Sequence, residues 1–347
     1  MLAQNLEFAA GLAITLAALT DIFLTLLAPG ASNRFSVVLR WRWASLPIWR
    51  RLAPRRRRGD ARPSNLYAPV TFLLAFMTWA LLMLLGYGMM IHALGGLFEP
   101  EVTLFSDGLW IAGSSLVTLG VSEFDASGIS RWVILAAGLS GFAALTTAVT
   151  FIFEVQSGLH DREPQVLALA TLVETPPSGI RILEMHAELG ATDDLPDFMT
   201  EWRDWSAATL HSHLAYPVLN YFRSMDAEGD WLAALEAVLD ASALLVGCAA
   251  DQQARGPATL LHRTGSRTAE RLCSELGLEP EACRVANAEL DELIERLRGA
   301  GYGVREDGAR ERFVTLRDAY APHIKALAKH LGGNRAPILP EEPANSD

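Results

Sequence analysis

The chain has 347 residues, of which half are hydrophobic and a fifth are charged, and its formal net charge is −11. The two classes are segregated: residues 1–65 carry a net charge of +7, residues 66–154 carry −5, and residues 155–347 carry −13. A soluble globular chain would mix them. The composition therefore predicts a membrane protein with an acidic soluble domain that is large enough to bury its own core.

The first predicted transmembrane helix lies within residues 1–30. Residues 8–30 are apolar apart from Asp21, and residues 1–7 lack the Lys or Arg of a signal peptide, so we expect an uncleaved helix with its N-terminus outside. A carboxylate inside a span is costly. Asp21 is expected either to pair with another group inside the membrane or to snorkel towards the cytoplasmic surface.

A basic connector follows over residues 31–65. Its segment Arg34–Arg62 uses Arg without Lys and interleaves it with Trp, which is typical of a helix in the lipid headgroup layer. The positive-inside rule places the connector in the cytoplasm and explains its charge without nucleic acid as a partner. Binding of anionic lipid by Arg34–Arg62 is a further hypothesis.

Two more uncharged stretches predict a helix over residues 66–97 and an inner helix over residues 130–155. His92, near the outer end of the former, is expected to be an interface residue rather than a ligand. Between them, Ser106–Leu116 is apolar and begins with a good helix cap. At about 1.5 Å per residue it is about 16 Å long, half of a ~30 Å hydrocarbon core, so it must enter the membrane and return.

The residues after this short helix read Thr118-Leu119-Gly120-Val121-Ser122-Glu123. The segment 104–124 resembles the pore helix and selectivity filter of the tetrameric potassium channels, whose filter reads TVGYGD. Thr118 and Gly120 match, Leu119 and Glu123 are close substitutes, and Val121 and Ser122 depart from the pattern.

The resemblance implies a pore module over residues 66–156. Backbone carbonyls of Thr118, Leu119, Gly120 and Val121, with the Thr118 hydroxyl, would hold permeant potassium ions, and Ser122 and Glu123 would shape the outer mouth. One loop supplies one strand of such a ring, so a homotetramer is expected. Val121 and Ser122 leave the ion selectivity open.

The inner helix carries small residues that allow close packing in lipid, among them Gly138 and Gly141. The resemblance implies a gating hinge at Gly138 or Gly141, so packing and hinge remain alternatives. Thr146, Thr147 and Thr150 are candidates to face a water-filled cavity, but helix phase alone does not assign them. The acidic residues of the outer loops either concentrate cations or reflect the scarcity of Lys and Arg in translocated loops. They are Glu99, Glu101, Asp107, Glu123 and Asp125.

Residues 157–332 show helical periodicity and form the predicted all-α cytosolic domain, and a disordered tail is expected over residues 333–347. Predicted helices cover 166–173, 180–189, 195–214, 231–246, 259–276, 281–297 and 313–331. The domain's acidity excludes nucleic acid as a partner and suits contact with the Arg-rich connector. The expected fold class is an all-α membrane protein: three transmembrane helices and a re-entrant pore helix, then an all-α cytosolic domain.

Candidate chemistry in the cytosolic domain is sparse. His211 and His213 point about 200° apart on a helix, so with His186 they are expected to be structural rather than metal ligands. The three cysteines show no ligand spacing and suit a reducing cytosol. The aromatic residues near Trp231 predict a packing cluster rather than a ligand pocket.

The sequence thus predicts a passive potassium or weakly selective monovalent cation channel. It would be a multi-pass protein of the inner membrane with a cytoplasmic C-terminal domain and no cofactor besides permeant K⁺. The alternative is a non-conducting membrane scaffold or sensor with a degenerate pore loop, which Ser122 favours. A membrane-bound enzyme is disfavoured because no nucleophile–base pair or metal motif is visible.

Overall fold

The computed structural model describes residues 1–27, 37, 40–41, 67–120, 123–173, 176–222, 224, 230–250, 253–305 and 307–340. These residues form helices apart from two short strands, and they make two compact units, one ending at Val155 and one beginning at Gln156. Three of the helices are long and apolar enough to cross a membrane. The expectation of an all-α protein with three candidate spans is confirmed at this level.

The described residues of the first unit include four helices. They are α1 (Leu2–Ile22, continued by a π-helical turn over Phe23–Leu27), α2 (Tyr67–Ala93), α3 (Phe105–Leu116) and α4 (Ser130–Leu172), whose last part belongs to the second unit. Strands β1 (Phe98–Glu99) and β2 (Asp125–Ala126) pair antiparallel. Helix α2 packs against both α1 and α3. Most of the basic connector lies outside the described residues.

Glycines let the helices of this unit approach each other closely. A Cβ atom added to Gly11 on α1 would lie 2.5 Å from the carbonyl oxygen of Gly86 on α2. One added to Gly108 on α3 would lie 2.8 Å from the carbonyl oxygen of Gly88 on α2. Lipid provides no hydrophobic drive between helices, so close van der Waals contact through small residues is what holds such a unit together.

The second unit adds seven helices. They are α5 (Gly179–Glu188), α6 (Leu195–Ala215), α7 (Trp231–Gly247), α8 (Arg255–Glu275), α9 (Asn287–Gly299), α10 (Ala309–Asp318) and α11 (Ala321–Leu331). All residues of α7 except Val246 are buried, and α5, α8 and α10 pack around it. The periodicity placed most of these helices. It missed the continuation of α4 beyond residue 155 and the break at Tyr320 that divides the predicted helix 313–331 into α10 and α11.

A buried ionic cluster crosses the core of this unit. Helix α7 contributes the carboxylates of Glu236 and Asp240, and Arg317 on α10 donates to them at 3.1 and 3.0 Å respectively. Tyr320 also donates to Asp240, and Arg335 donates to Glu236. Sequence reasoning missed the cluster, although two acids four residues apart in an otherwise apolar helix were a visible signal.

The segment expected to begin a disordered tail contacts α7 over its first residues. The backbone N–H of Asn334 donates to Asp230 at 2.9 Å, and that of Ala336 donates to Glu236 at 3.1 Å. Residues 341–347 lie outside the described part of the chain.

Replacing Arg317 by Met should destabilise the second unit strongly. The change strips Asp240 of a buried cationic partner, and loss of one partner of a buried ion pair costs about 3–5 kcal/mol. Arg310→Met is the matched control, because Arg310 pairs with Asp291 where both side chains are about half exposed. It should change the free energy of unfolding by less than about 1 kcal/mol. Thermal unfolding of the full-length protein in detergent compares the two, and equal losses would refute the assignment.

Candidate functional site

The two ends of the segment between β1 and β2 lie side by side, because the two strands pair with each other. The two strands put Phe98 opposite Ala126 and Glu99 opposite Asp125. The backbone N–H of Ser127 also donates to the carbonyl of Leu97 at 2.9 Å. Helix α3, inside this segment, has 12 residues, which at about 1.5 Å each is too short for a ~30 Å hydrocarbon core. The geometry is that of an excursion closed at its base.

The chain turns sharply where α3 ends. The N–H of Thr118 donates to the carbonyl of Ser115 at 3.0 Å, and that of Leu119 donates to the carbonyl of Ser114 at 2.9 Å. These are the two bonds of a Schellman motif, in which the residue with left-handed backbone is usually glycine. Here it is Thr118, with φ +57°. A non-glycine residue in this conformation costs about 1–3 kcal/mol, a strain typical of functional sites.

The same turn fixes the direction of three carbonyl groups. The N–H of Gly120 also faces the carbonyl of Ser114, at 3.4 Å. In a trans peptide the C=O points opposite to the N–H, so the carbonyls of Val117, Thr118 and Leu119 all point away from the end of α3. None of these oxygens accepts a hydrogen bond from the residues that the structure describes.

The predicted filter residues therefore divide into two groups. Thr118, Leu119 and Gly120 lie at this turn and are exposed, Leu119 to 65%. Gly120 has φ +65°, so Thr118 and Gly120 both have left-handed backbone, whereas Leu119 between them does not. Val121 and Ser122 lie outside the described residues, and their roles stay predictions. Glu123 is exposed.

Helix α4 lies directly against the end of α3. A Cβ atom on Gly141 would be 1.9 Å from the carbonyl oxygen of Leu116, whereas one on Gly138 would be 3.4 Å from that of Ser115. Of the two alternatives for these glycines, the contact supports packing at Gly141. Nearby, the Tyr87 hydroxyl lies 2.6 Å from Ser140 Oγ and donates to the Ala136 carbonyl at 3.1 Å, joining α2 to α4.

The buried stripe of α4 sets the phase of the helix. Val133, Ala137, Ala144, Ala148 and Phe151 are buried. At about 100° per residue, one flank of the stripe is large and apolar, and the other is small or polar apart from Trp132 and Leu139. The apolar flank holds Ile134, Leu145, Val149 and Ile152, and the small or polar flank holds Ala136, Ala143, Thr150 and Glu154. Thr150 is thus separated from the apolar flank, an assignment that needed the burial pattern.

The intramembrane acid of α1 has partners. Asp21 is buried and accepts hydrogen bonds from the Trp79 indole at 2.7 Å and from the backbone N–H of Val37 at 3.0 Å. This geometry favours the first alternative for Asp21, pairing inside the span. His92 Nδ1 lies 2.7 Å from Glu7 Oε1, so it joins α2 to α1.

The candidate histidines of the second unit differ in burial. His213 is buried, while His211 is exposed. His186 is buried, its Nδ1 2.8 Å from the carbonyl of Ile182. Burial raises the pKa of the Cys248 thiol to about 11. The described residues contain no group of three or more His, Cys, Asp or Glu side chains placed to hold a metal ion.

Comparison with protein families, with curated proteins and with solved structures finds no match to this chain. The resemblance of the loop to a potassium-channel filter therefore stays a prediction from its own residues. The function is inferred below from the geometry of the first unit.

Gly141→Ala should destabilise the protein, whereas Gly138→Ala should not. At Gly141 the new methyl group meets a backbone carbonyl, and overpacking of this kind costs about 1–3 kcal/mol. At Gly138 the new methyl group would only come into van der Waals contact with the Ser115 carbonyl oxygen, at 3.4 Å, and replacing a helical glycine by alanine gains up to about 1 kcal/mol. Thermal unfolding of both variants in lipid nanodiscs measures the difference. A lower melting temperature for Gly138→Ala than for Gly141→Ala would contradict the packing.

Proposed function

We propose that this protein is a passive, homotetrameric channel for potassium or, with weak selectivity, for monovalent cations. It would be a multi-pass protein of the cell membrane with a cytoplasmic C-terminal domain, and it would need neither catalysis nor a cofactor. The observation that carries the proposal is the set of three consecutive carbonyls, Val117 to Leu119, that point away from the end of α3.

A cation that enters a low-dielectric pore must exchange its water for other oxygens. Carbonyls directed to one side by the turn at Thr118 suit that exchange, and the C-terminal end of the α3 dipole adds about half a negative charge. In the proposed pathway Thr118, Leu119, Gly120 and Val121 hold the ion. Ser122 and Glu123 form the outer mouth, and the acids Glu99 and Asp125 at the base of the loop attract cations.

The proposal requires four copies of the chain. One loop provides one strand of oxygens, and a closed ring around an ion needs four. The exposure of Thr118, Leu119 and Gly120 in the single chain is what such a shared element would show. The small or polar flank of α4, with Thr150 and Glu154, would face the water-filled path, and the large apolar flank would face lipid.

A second candidate is a non-conducting scaffold or sensor that keeps the shape of a pore loop. One observation favours it: the turn at Thr118 closes with its own hydrogen bonds to Ser114 and Ser115, so it does not require a bound ion. Flux measurements separate the two candidates.

Purified protein in liposomes should pass potassium down a gradient, and Gly120→Val should reduce that flux by roughly tenfold or more. Valine is poorly tolerated at positive φ, so the substitution should redirect the carbonyls of the turn. Gly128→Val is the matched control. Gly128 has φ +58° and open space around its Cβ position, as Gly120 does, but it follows β2.

The control should conduct within about twofold of the parent protein, because its strain of about 1–3 kcal/mol lies outside the turn. Flux no greater than in empty liposomes would favour the scaffold. Equal flux of sodium and potassium would keep the channel and remove selectivity.

A further inference from the structure

The part of α4 that belongs to the second unit carries a buried arginine. Arg162 is 2% exposed. Its guanidinium donates to the carbonyls of Leu219 at 3.4 Å and Phe222 at 3.0 Å, and Nη1 lies 3.2 Å from His213 Nε2. Trp205 on α6 donates to the Arg162 carbonyl at 3.0 Å. Main chain and side chain together fasten this segment of α4 to α6 and to the turn that follows it.

The neighbours of His213 define its protonation state. Arginine has only donors, so the Nε2 atom that faces Arg162 must be an acceptor. The ring proton then lies on Nδ1, which is 3.1 Å from Asn220 Oδ1. The imidazole is therefore neutral, and its ring packs edge-on against Trp231 at 4.9 Å.

We propose that His213 is an acid-sensitive latch for residues 156–172 of α4. Protonation removes the acceptor that Arg162 uses and places a second positive charge beside the guanidinium in a buried site. Both effects release Arg162 and the helix segment that carries it. The inference goes beyond the proposed conduction and does not depend on it.

The acid response has a defined sign. Burial, and then the charge of Arg162, hold the pKa of His213 well below its ordinary value, against the opposing bond to Asn220. A depressed pKa means that the latch is fully closed above the unfolded value of about 6.5 and weakens as the pH falls below it. The latch is thus closed at neutral pH and opens in acid.

Among the residues that the structure describes, the charged groups around the site have hydrogen-bond partners other than the imidazole. Glu163 binds Arg162 from another side, at 2.6 Å. The Asp230 carboxylate accepts from the backbone N–H groups of Leu232 and Asn334, both at 2.9 Å. His330 contacts Tyr221 at 3.3 Å, on the turn after α6. Among the described residues, the imidazole of His213 makes polar contacts with Arg162 and Asn220 and a ring contact with Trp231.

A proline weakens helix α4 close to the latch. Pro164 lies inside α4, two residues beyond Arg162. Proline removes one backbone hydrogen bond of the helix and weakens it locally. Because α4 runs without a break from Ser130 to Leu172, the latch acts on the same helix whose Gly141 touches the end of α3.

Hydrogen exchange of the full-length protein, corrected for the intrinsic pH dependence of exchange, tests the latch. Lowering the pH from about 7.5 to about 5.5 should raise exchange about tenfold in peptides over 156–172 and 213–222, because an exposed histidine becomes about tenfold more protonated than neutral. His213→Gln keeps an acceptor but cannot titrate, so it should abolish the rise. His211→Gln, the exposed neighbour, should leave it unchanged.

A second variant guards against misfolding of the first. Asn220→Asp places a carboxylate beside Nδ1, which favours the protonated ring and should shrink the acid response. The proposal is overturned if the parent protein shows no rise at these peptides. It is also overturned if the rise persists in His213→Gln, or if it is abolished by His262→Gln, a substitution of the buried histidine of α8. Exchange does not depend on ion flux, so a failed flux assay would refute the channel and leave the latch standing.

Discussion

A helix end leaves main-chain carbonyls without partners inside the helix, and the end of α3 satisfies two of them in a particular way. The carbonyls of Ser114 and Ser115 receive the next three N–H groups of the chain, which turns the following carbonyls away from the helix. The turn depends on its surroundings: Gly141 admits the Leu116 carbonyl, and β1 with β2 closes the base of the loop. The direction of these oxygens is thus a consequence of how the helix end is capped, and it is the feature from which conduction is inferred.

In the second unit, the buried charged side chains form hydrogen bonds and ion pairs with neighbouring groups. Glu236 and Asp240 meet two arginines, a tyrosine and a backbone N–H in the core, and Arg162 meets two carbonyls and a neutral histidine. Networks of buried charge of this kind fail when one member changes its charge. Of the two sites, the one at Arg162 contains a histidine, whose pKa burial and the charge of Arg162 lower well below its ordinary value, so that it is neutral when the site is formed. Helix α4 belongs to both units, and its last turns carry Arg162, so a change in the charge of His213 acts on them directly.

Local patterns predicted much of this architecture. The three candidate spans, the short helix α3 and most helices of the second unit followed from length, hydropathy and breakers, because those signals lie within one segment. The flank of α4 that carries Thr150 could not be assigned, since phase depends on what the helix packs against. The uncharged stretch stops at Glu154, so the helix was predicted to end at residue 155, yet it continues to Leu172, where Arg162 makes contacts distant in sequence. The left-handed Thr118 was equally hidden, because its conformation is imposed by the turn and not by its own preference.

The claim tested most directly is that the loop after α3 meets its copies around a shared axis. One nitroxide per subunit at Glu123, an exposed position beside the turn, reports the distances between copies in lipid by pulsed dipolar spectroscopy. A fourfold pore gives two distances in the ratio of the side to the diagonal of a square. A single distance, or no dipolar coupling between subunits, would contradict the shared pore.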